Sequence, residues 1–172
     1  MEWGEKYMNL YIMRHAIAVE STENCEDSQR ILTKSGVEKL IRIGEKIKKK
    51  GLGFDYIFSS PYIRAYQTAE TVAKILNIDH SKIIASQNLT PLGYSDYLID
   101  EINAIGFCEN VLIIGHEPLL SQLIGTLLIG DSTMNIQLKK AGMCHLSIKE
   151  LIHGRCAKLI SLLTPKQLLH ED

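Results

Sequence analysis

The amino-acid sequence predicts an α/β fold, a three-layer α/β/α sandwich in which a mostly parallel sheet carries helices on both faces. Short apolar runs alternate with segments of helical periodicity, which is typical of βαβ units. Three of these runs end abruptly at polar residues, as buried parallel strands do at the sheet edge where ligands bind. With 172 residues and 45% hydrophobic composition, the chain can form one well-buried core and is too short for two ordinary domains.

The predicted strands are short apolar runs bounded by turn-forming or polar residues. Residues 9–13 (NLYIM) and 110–114 (NVLII) are apolar after their first residue, which is the pattern of strands buried on both faces. Residues 142–148 and 156–163 flank a turn around Gly154 and therefore predict an antiparallel pair. In chain order, the predicted strands are 9–13, 54–58, 83–85, 110–114, 142–148 and 156–163.

The predicted helices are recognised by their apolar periodicity and their end signals. Thr33 is a predicted N-cap, and the helix after it closes with a basic run before Gly51. Ser60 and Pro61 predict the N-cap and the first residue of a second helix, which ends near Asn77. Two further helices are expected from about residue 96 to 105 and from Pro118 to about residue 128.

Composition and charge exclude several classes of partner. The formal net charge of −1 provides no basic field, so neither nucleic acid nor a membrane surface is expected as a partner. No apolar run reaches the length of a spanning helix and no signal-peptide pattern occurs, so we expect a cytoplasmic protein. We also expect a monomer. The four cysteines lie far apart without a C-x-x-C pair, and we expect them to be reduced.

Polar side chains follow three of the predicted strands at the same edge of the sheet. Arg14 and His15 come directly after the first strand, Arg64 lies in the opening turns of the helix after the second, and His116 follows the strand at 110–114. Guanidinium groups match phosphate oxygens bidentately and stay charged at every cellular pH. The sequence therefore predicts a site for a dianionic phosphate at this edge.

Each of these residues also has a structural explanation. Arg64 alone is the kind of arginine that lies at the surface or in a salt bridge, and His15 could be a core histidine bonded to backbone. A structural histidine does not require an adjacent arginine, so the Arg14–His15 pair favours function. No histidine pair has the i, i+4 spacing of a zinc site and no acidic cluster accompanies the histidines, so we expect neither a metal nor a cofactor.

Five segments carry a pattern in a characteristic order: LYIMRHA at 10–16, RILTKSG at 30–36, SSPYIRAYQTAE at 59–70, LTPLG at 89–93 and IIGHEPLL at 113–120. They resemble the histidine phosphatase superfamily, also called phosphoglycerate mutase-like, and within it the phosphohistidine phosphatases of the SixA type. The resemblance implies a phosphoglycerate mutase-like fold with a single domain over residues 8–164. Residues 1–7 would be an N-terminal extension, and residues 165–172 a frayed or short-helical C-terminal tail.

The resemblance also implies roles for the residues at the sheet edge. His15 would be the nucleophile, attacking phosphorus through one ring nitrogen while a backbone carbonyl holds the other. His116, Arg14 and Arg64 would bind the phosphoryl oxygens and stabilise the charge that builds on them. Ala16 stands where the superfamily has the glycine of its R-H-G motif, so an additional methyl group must fit beside the phosphate.

The pattern lacks the general acid of larger superfamily members. Larger members of the superfamily carry a glutamate acid in the region that corresponds to residues 87–89, where this chain has QNL. A phosphoramidate can leave as neutral imidazole, so the gap fits a phosphohistidine substrate. Residues 27–30 match an acidic and basic pair of SixA-type proteins. Arg30 would be a third guanidinium on the phosphate or a partner in a loop salt bridge, and Asp27 would orient it or carry a proton.

Four functions are considered, of which the last two are less favoured. The leading one is a phosphatase for phosphohistidine on a histidine-containing phosphotransfer protein. The alternative is a phosphomonoesterase for a small phosphorylated substrate such as a sugar phosphate or nucleotide, for which Asp27 or Asp96 would have to supply a proton. A non-catalytic phospho-binding module would not need a nucleophile, and a mutase would need a lid against water that the compact chain lacks.

Overall fold

In the computed structural model, which describes residues 6–23 and 25–170, six strands and five helices alternate along most of the chain. The strands are β1 (Met8–Arg14), β2 (Tyr56–Ser59), β3 (Ile83–Ala85), β4 (Asn110–Gly115), β5 (Met143–Ile148) and β6 (Ala157–Leu163). The helices are α1 (Lys34–Lys49), α2 (Ile63–Leu76), α3 (Ser95–Ala104), α4 (Leu119–Ile129) and α5 (Pro165–His170).

The strands form one sheet in the order β3-β2-β4-β1-β5-β6. The first four of these run parallel to one another, whereas β5 pairs antiparallel with β1 and β6 pairs antiparallel with β5. The prediction of a mostly parallel sheet that ends in an antiparallel pair is confirmed. Because β1, β2 and β4 are parallel neighbours, their carboxyl ends lie side by side at one edge of the sheet.

Helices cover both faces of the sheet, which confirms the predicted three-layer α/β/α sandwich. Leu10 and Ile12 of β1 face the core formed with α3 and α4, whereas Tyr11 and Met13 face the core formed with α1, α2 and α5. All four side chains are at most 8% exposed. A strand buried on both faces must be apolar at successive positions, which is why β1 shows no alternation.

The first two helices begin in different ways. Thr33 caps α1 as predicted, because its side chain accepts the backbone N–H of Gly36 at 3.0 Å. The predicted start of α2 is wrong: Tyr62 is the N-cap in an extended conformation, and the helix begins at Ile63 rather than at Pro61. The Ser60 hydroxyl bonds His116 and the backbone N–H of Tyr62, so tertiary contacts hold this serine in the turn before the helix.

The ends of the chain are partly described. The predicted extension, residues 1–7, lies outside the described residues except for Lys6 and Tyr7, and Lys6 Nζ is 5.4 Å from the ring centroid of Phe107. The predicted tail is short-helical in α5, where Leu168 is 5% exposed and belongs to the core, and residues 171–172 lie outside the description. No helix in the described part of the chain is long and apolar enough to cross a membrane.

Candidate active site

The site is built from three strand ends that the sheet places next to one another. Arg14, the last residue of β1, is in register with Gly115 of β4, and Ser59 of β2 is in register with Ile114. The segments that leave these strands therefore start from adjacent positions. They carry the four predicted phosphate-site residues, and His15, Arg64 and His116 are each at most 5% exposed.

His15 is fixed in one tautomer by the backbone. Its Nδ1 lies 2.7 Å from the carbonyl oxygen of Ala16, and since a carbonyl can only accept, Nδ1 carries the hydrogen. Nε2 therefore presents a lone pair, which accepts a hydrogen bond from Arg64 Nε at 3.3 Å. Burial, together with the charges of Arg64, Arg14 and Lys140, lowers the pKa of His15 to about 4. The ring is neutral at cellular pH, as a nucleophile must be.

Ala16 fits at this position because its side chain enters the core instead of the site. The residue is fully buried, and its backbone N–H donates to Thr68 Oγ1 at 3.1 Å. The Thr68 hydroxyl in turn donates to the carbonyl of Arg64 at 2.7 Å. The segment that carries the nucleophile is thereby joined to the helix that carries the second arginine.

The two arginines are held by hydrogen bonds to other parts of the chain. Arg14 Nη1 donates to the Leu138 carbonyl at 3.2 Å, and its buried Nε has no partner among the described residues. Arg64 donates through Nη2 to Asp27 Oδ2 at 2.9 Å and through Nη1 to the Asp27 carbonyl. The Arg64 guanidinium also lies over the Tyr62 ring, with 5.2 Å between its carbon and the ring centroid. Both guanidinium groups are thus oriented by the protein before any ligand binds.

Asp27 connects the other predicted loop residue, Arg30, to Arg64 of the site. Its Oδ1 is 2.7 Å from Arg30 Nη1, while its Oδ2 binds Arg64. Burial alone would raise the pKa of Asp27, but hydrogen bonds from Arg30 and Arg64 hold it below its ordinary value. Arg30 is held further by the Val19 carbonyl, at 2.8 Å from its Nε. In this geometry Asp27 is an ionised carboxylate that orients arginines, and Arg30 takes part in a loop salt bridge.

His116 lies beside His15 with its ring centroid 5.0 Å away. Its Nε2 is 2.9 Å from Ser60 Oγ, whereas its Nδ1 is buried without a partner among the described residues. Burial, followed by the neighbouring His15 and Arg64, lowers the pKa of His116 to about 3. His116 is therefore a neutral imidazole that can offer one ring nitrogen to a bound group.

Of the two predicted proton sources, Asp27 lies at the site, whereas Asp96 has no described contact with the predicted site residues. Asp96 is in the first turn of α3, where its carboxylate is 3.7 Å from His153 Nδ1. Residues 87–89, which contain no acid, form a 3₁₀ turn. Glu101 of α3 contacts this turn, because its Oε1 accepts from Asn88 Nδ2 at 2.7 Å and its Oε2 is buried without a described partner.

Sequence reasoning missed three neighbours of the site. Ser60 and Tyr62 lie inside the SSPYIRA segment, which was interpreted as a helix start and not as a source of site contacts. Tyr62 packs edge-on against His116, with centroids 5.2 Å apart. Lys140 acts on the pKa of His15 from the irregular segment between α4 and β5, and no periodicity or motif in the sequence marks it. Over the described residues, no group of three or more His, Cys, Asp or Glu could hold a metal ion.

Comparisons with known proteins point in one direction. A family model for the histidine phosphatase superfamily (branch 1) matches residues 10–97. An uncharacterised protein of Picosynechococcus sp. is 31% identical over 166 residues, covering 94% of this chain and 99% of that protein. Phosphohistidine phosphatase SixA of Escherichia coli (strain K12) is 30% identical over 127 residues, covering 73% of this chain and 77% of that protein.

Solved structures share this fold. The protein histidine phosphatase SixA, solved in complex with tungstate, matches with a TM-score of 0.82 at 26% identity, covering 94% of this chain and 99% of the other. Phosphoglycerate mutase from Bacillus anthracis str. Sterne matches with a TM-score of 0.70 at 17% identity, covering 98% of both chains. The second likeness concerns the fold alone, which is the phosphoglycerate mutase-like α/β fold that the motifs imply.

Proposed function

The chain belongs to the histidine phosphatase superfamily and is a phosphatase, and we propose that its substrate is phosphohistidine carried by a phosphotransfer protein. The observation that carries this proposal is the combination of an oriented nucleophile and cations with no hydrogen bond, among the described residues, from a carboxyl group to either site histidine. Residues 87–89 contain no carboxyl group, and Asp27 is ionised between Arg30 and Arg64. The 30% identity to a phosphohistidine phosphatase supports the same substrate class.

The phosphoryl group would bind between the two arginines. Arg64 donates to the nucleophilic Nε2 of His15, and the charge of Arg14 acts on the same ring, so both guanidinium groups lie near the point of attack. Arg14 Nε is buried and has no described partner. Each charge-assisted hydrogen bond to a phosphoryl oxygen contributes about 1.5–3 kcal/mol. Because these donors are fixed before binding, they stabilise the developing charge without reorganising during the reaction.

The reaction then proceeds in two transfers. The lone pair of His15 Nε2 forms a bond to phosphorus while the P–N bond of the substrate breaks and its electron pair returns to the substrate imidazole. A substrate ring protonated at its other nitrogen leaves as neutral imidazole, so no acid from the enzyme is needed. Water then attacks phosphorus, the P–Nε2 bond breaks with its electron pair returning to His15, and a proton passes to solvent with inorganic phosphate as the product.

Substrate preference tests this proposal directly. We would measure phosphate release from a histidine-phosphorylated phosphotransfer domain beside a panel of sugar phosphates and nucleotides, with His15→Ala as the control. The proposal expects His15-dependent loss of phosphohistidine together with slow turnover of esters. Fast ester turnover with phosphohistidine untouched would make the chain a small-molecule phosphomonoesterase.

The phosphomonoesterase alternative has one observation in its favour. Glu101 has a buried carboxylate oxygen without a described partner and contacts the turn at residues 87–89, where larger superfamily members carry their acid. If esters prove to be the better substrates, Glu101→Gln should depress their turnover most strongly for poor leaving groups.

Asp27→Asn distinguishes a positioning carboxylate from a proton donor. The amide keeps the shape but loses the charge that holds Arg30 and Arg64. We therefore expect kcat/KM to fall about 10-fold, and equally for phosphohistidine and for esters. Glu26→Gln is the matched control, because Glu26 is an adjacent exposed acid whose side chain makes no described bond to either arginine. A loss confined to esters with poor leaving groups would instead assign Asp27 as the acid.

The lowered pKa of His15 predicts that its nucleophilic form persists into mildly acidic solution. An imidazole with an ordinary pKa would be half protonated near pH 6.5, whereas His15 should stay neutral until the pH falls toward about 4. Histidine NMR, titrated downward from about pH 7.5 while circular dichroism shows folded protein, measures this directly. A midpoint for His15 above about pH 6 would contradict the described environment.

A further inference from the structure

Buried His116 leaves one ring nitrogen without a partner. The residue is 2% exposed, Nδ1 has no described hydrogen-bond partner, and Nε2 is occupied by Ser60 Oγ at 2.9 Å. Unpartnered polar atoms are uncommon in protein interiors because they lose water without replacing it. The His116 ring centroid is 5.0 Å from that of His15, so this ring adjoins the place where a phosphoryl group would bind.

Ser60 has a single hydroxyl hydrogen, and its surroundings determine where that hydrogen goes. Ser60 is fully buried, and its Oγ already accepts the backbone N–H of Tyr62 at 3.2 Å. Within the described part of the chain, the remaining hydrogen-bond partner of this oxygen is His116 Nε2. If Nε2–H donated to Oγ, the serine hydrogen would be left buried without an acceptor. Donation from Ser60 to Nε2 satisfies both groups.

A neutral imidazole carries one N–H, so the two ring nitrogens have opposite roles. If Nε2 of His116 accepts from Ser60, the hydrogen lies on Nδ1. His15 shows the reverse arrangement, because its Nδ1–H is held by the Ala16 carbonyl and its Nε2 presents the lone pair. The Ala16 carbonyl thus makes His15 a nucleophile, whereas the Ser60 hydroxyl makes His116 a hydrogen-bond donor.

We infer that Ser60 is a positioning residue whose hydroxyl holds His116 in the Nδ1–H tautomer, so that His116 donates a hydrogen bond to the phosphoryl oxygens. The consequence for turnover rests on the proposed function, whereas the tautomer is a property of the free protein. Without the serine hydroxyl, the ring can adopt the Nε2–H tautomer. It would then present a lone pair to an anionic oxygen, which is repulsive.

The tautomer can be observed in the wild-type protein without any substrate. Long-range ¹H–¹⁵N correlation spectra of ¹⁵N-histidine-labelled protein at neutral pH distinguish the protonated from the unprotonated ring nitrogen, and the signals of His116 are assigned by their loss in His116→Gln. The inference expects a protonated Nδ1 and an unprotonated Nε2. A protonated Nε2 in the wild-type protein overturns it.

Ser60→Ala tests the consequence, with Ser59→Ala as the matched control. Ser59 is equally buried and adjacent, but its hydroxyl donates to the Ser60 carbonyl at 3.0 Å and does not bond His116. We expect Ser60→Ala to shift His116 toward the Nε2–H tautomer, weaken binding of inorganic phosphate and lower kcat/KM by about 10- to 100-fold. We expect Ser59→Ala to keep the wild-type tautomer and turnover.

The outcomes distinguish the positioning role of Ser60 from the proposed substrate. A Ser60→Ala variant that folds, retains the Nδ1–H tautomer and binds inorganic phosphate within about 2-fold of wild type overturns the positioning role. If that variant does not fold, the wild-type spectrum still decides the tautomer. If phosphohistidine is not a substrate, the proposed function fails, while the NMR and phosphate-binding results stand unaffected.

Discussion

Replacing His15 with alanine should abolish turnover of phosphohistidine, with a fall in kcat/KM on the order of 10³-fold or more. In the proposed reaction the lone pair of His15 Nε2 attacks phosphorus. His116 cannot replace it, because its Nε2 is held by Ser60 and its Nδ1 carries the hydrogen in the inferred tautomer. The loss should be expressed in kcat rather than in substrate affinity, since Arg14, Arg64 and His116 still bind the phosphoryl group.

The control for this variant is His80→Ala. His80 is an exposed histidine whose ring makes a 3.4 Å contact with Glu70, so its removal should leave turnover unchanged. Initial rates of phosphate release, with the fold of each variant checked by circular dichroism, provide the measurement. Retention of more than about a tenth of wild-type activity in His15→Ala would refute covalent catalysis by this residue.

Replacing Arg64 with alanine should have the second-largest effect. Arg64 contacts the nucleophile, is 4% exposed and is oriented by Asp27, so its loss removes fixed donors from the phosphoryl group and leaves the Asp27 carboxylate without its buried partner. Two charge-assisted hydrogen bonds of ordinary strength correspond to a fall in kcat/KM on the order of 10²- to 10⁴-fold.

Arg64→Lys refines this test, and Arg42→Ala is its control. Lysine retains the charge but cannot reproduce the planar fork, so it should recover only part of the lost activity. Arg42 is an exposed arginine of α1, away from the predicted site residues, and its removal should not change kcat/KM. Wild-type activity in Arg64→Ala would show that this arginine does not bind the phosphoryl group.

Local sequence signals were sufficient to predict the frame of the site. Apolar runs that end abruptly at Arg14 and before His116 mark strands buried on both faces, and parallel strands deliver such ends to one edge. The spacing of Arg64 after the second strand added the third element. The positions of these strand ends depend on burial and chain direction, and both can be inferred from the pattern of apolar and polar residues.

The contacts of Asp27 and Lys140 could not be derived in this way. Residues 20–30 have no periodicity, so the partners of Asp27 are set by where the fold places Arg64. Lys140 is brought to the site because the N–H of Ala141 donates to the carbonyls of Arg14 and His15. Such backbone contacts between distant segments have no counterpart in a motif or a hydrophobic pattern.

Ser60 illustrates how a correct local signal can serve a different purpose. Serine followed by proline favours a helix start, and the predicted N-cap followed from that preference. In the folded chain, the hydroxyl is bonded to His116, and the helix begins after Tyr62. A tertiary hydrogen bond thus overrides the capping preference at the position where the two strand ends meet.

Detection of a phosphoenzyme tests covalent catalysis by His15 directly. A phosphotransfer domain carrying a radiolabelled phosphohistidine would be mixed with the enzyme, quenched within a single turnover without acid, digested with trypsin and analysed for label. Covalent catalysis by His15 predicts transient label on the peptide of residues 15–30, whose one histidine is His15, and no label there in His15→Ala. Labelled inorganic phosphate that accumulates while this peptide is unlabelled at every time point would contradict a covalent intermediate on His15.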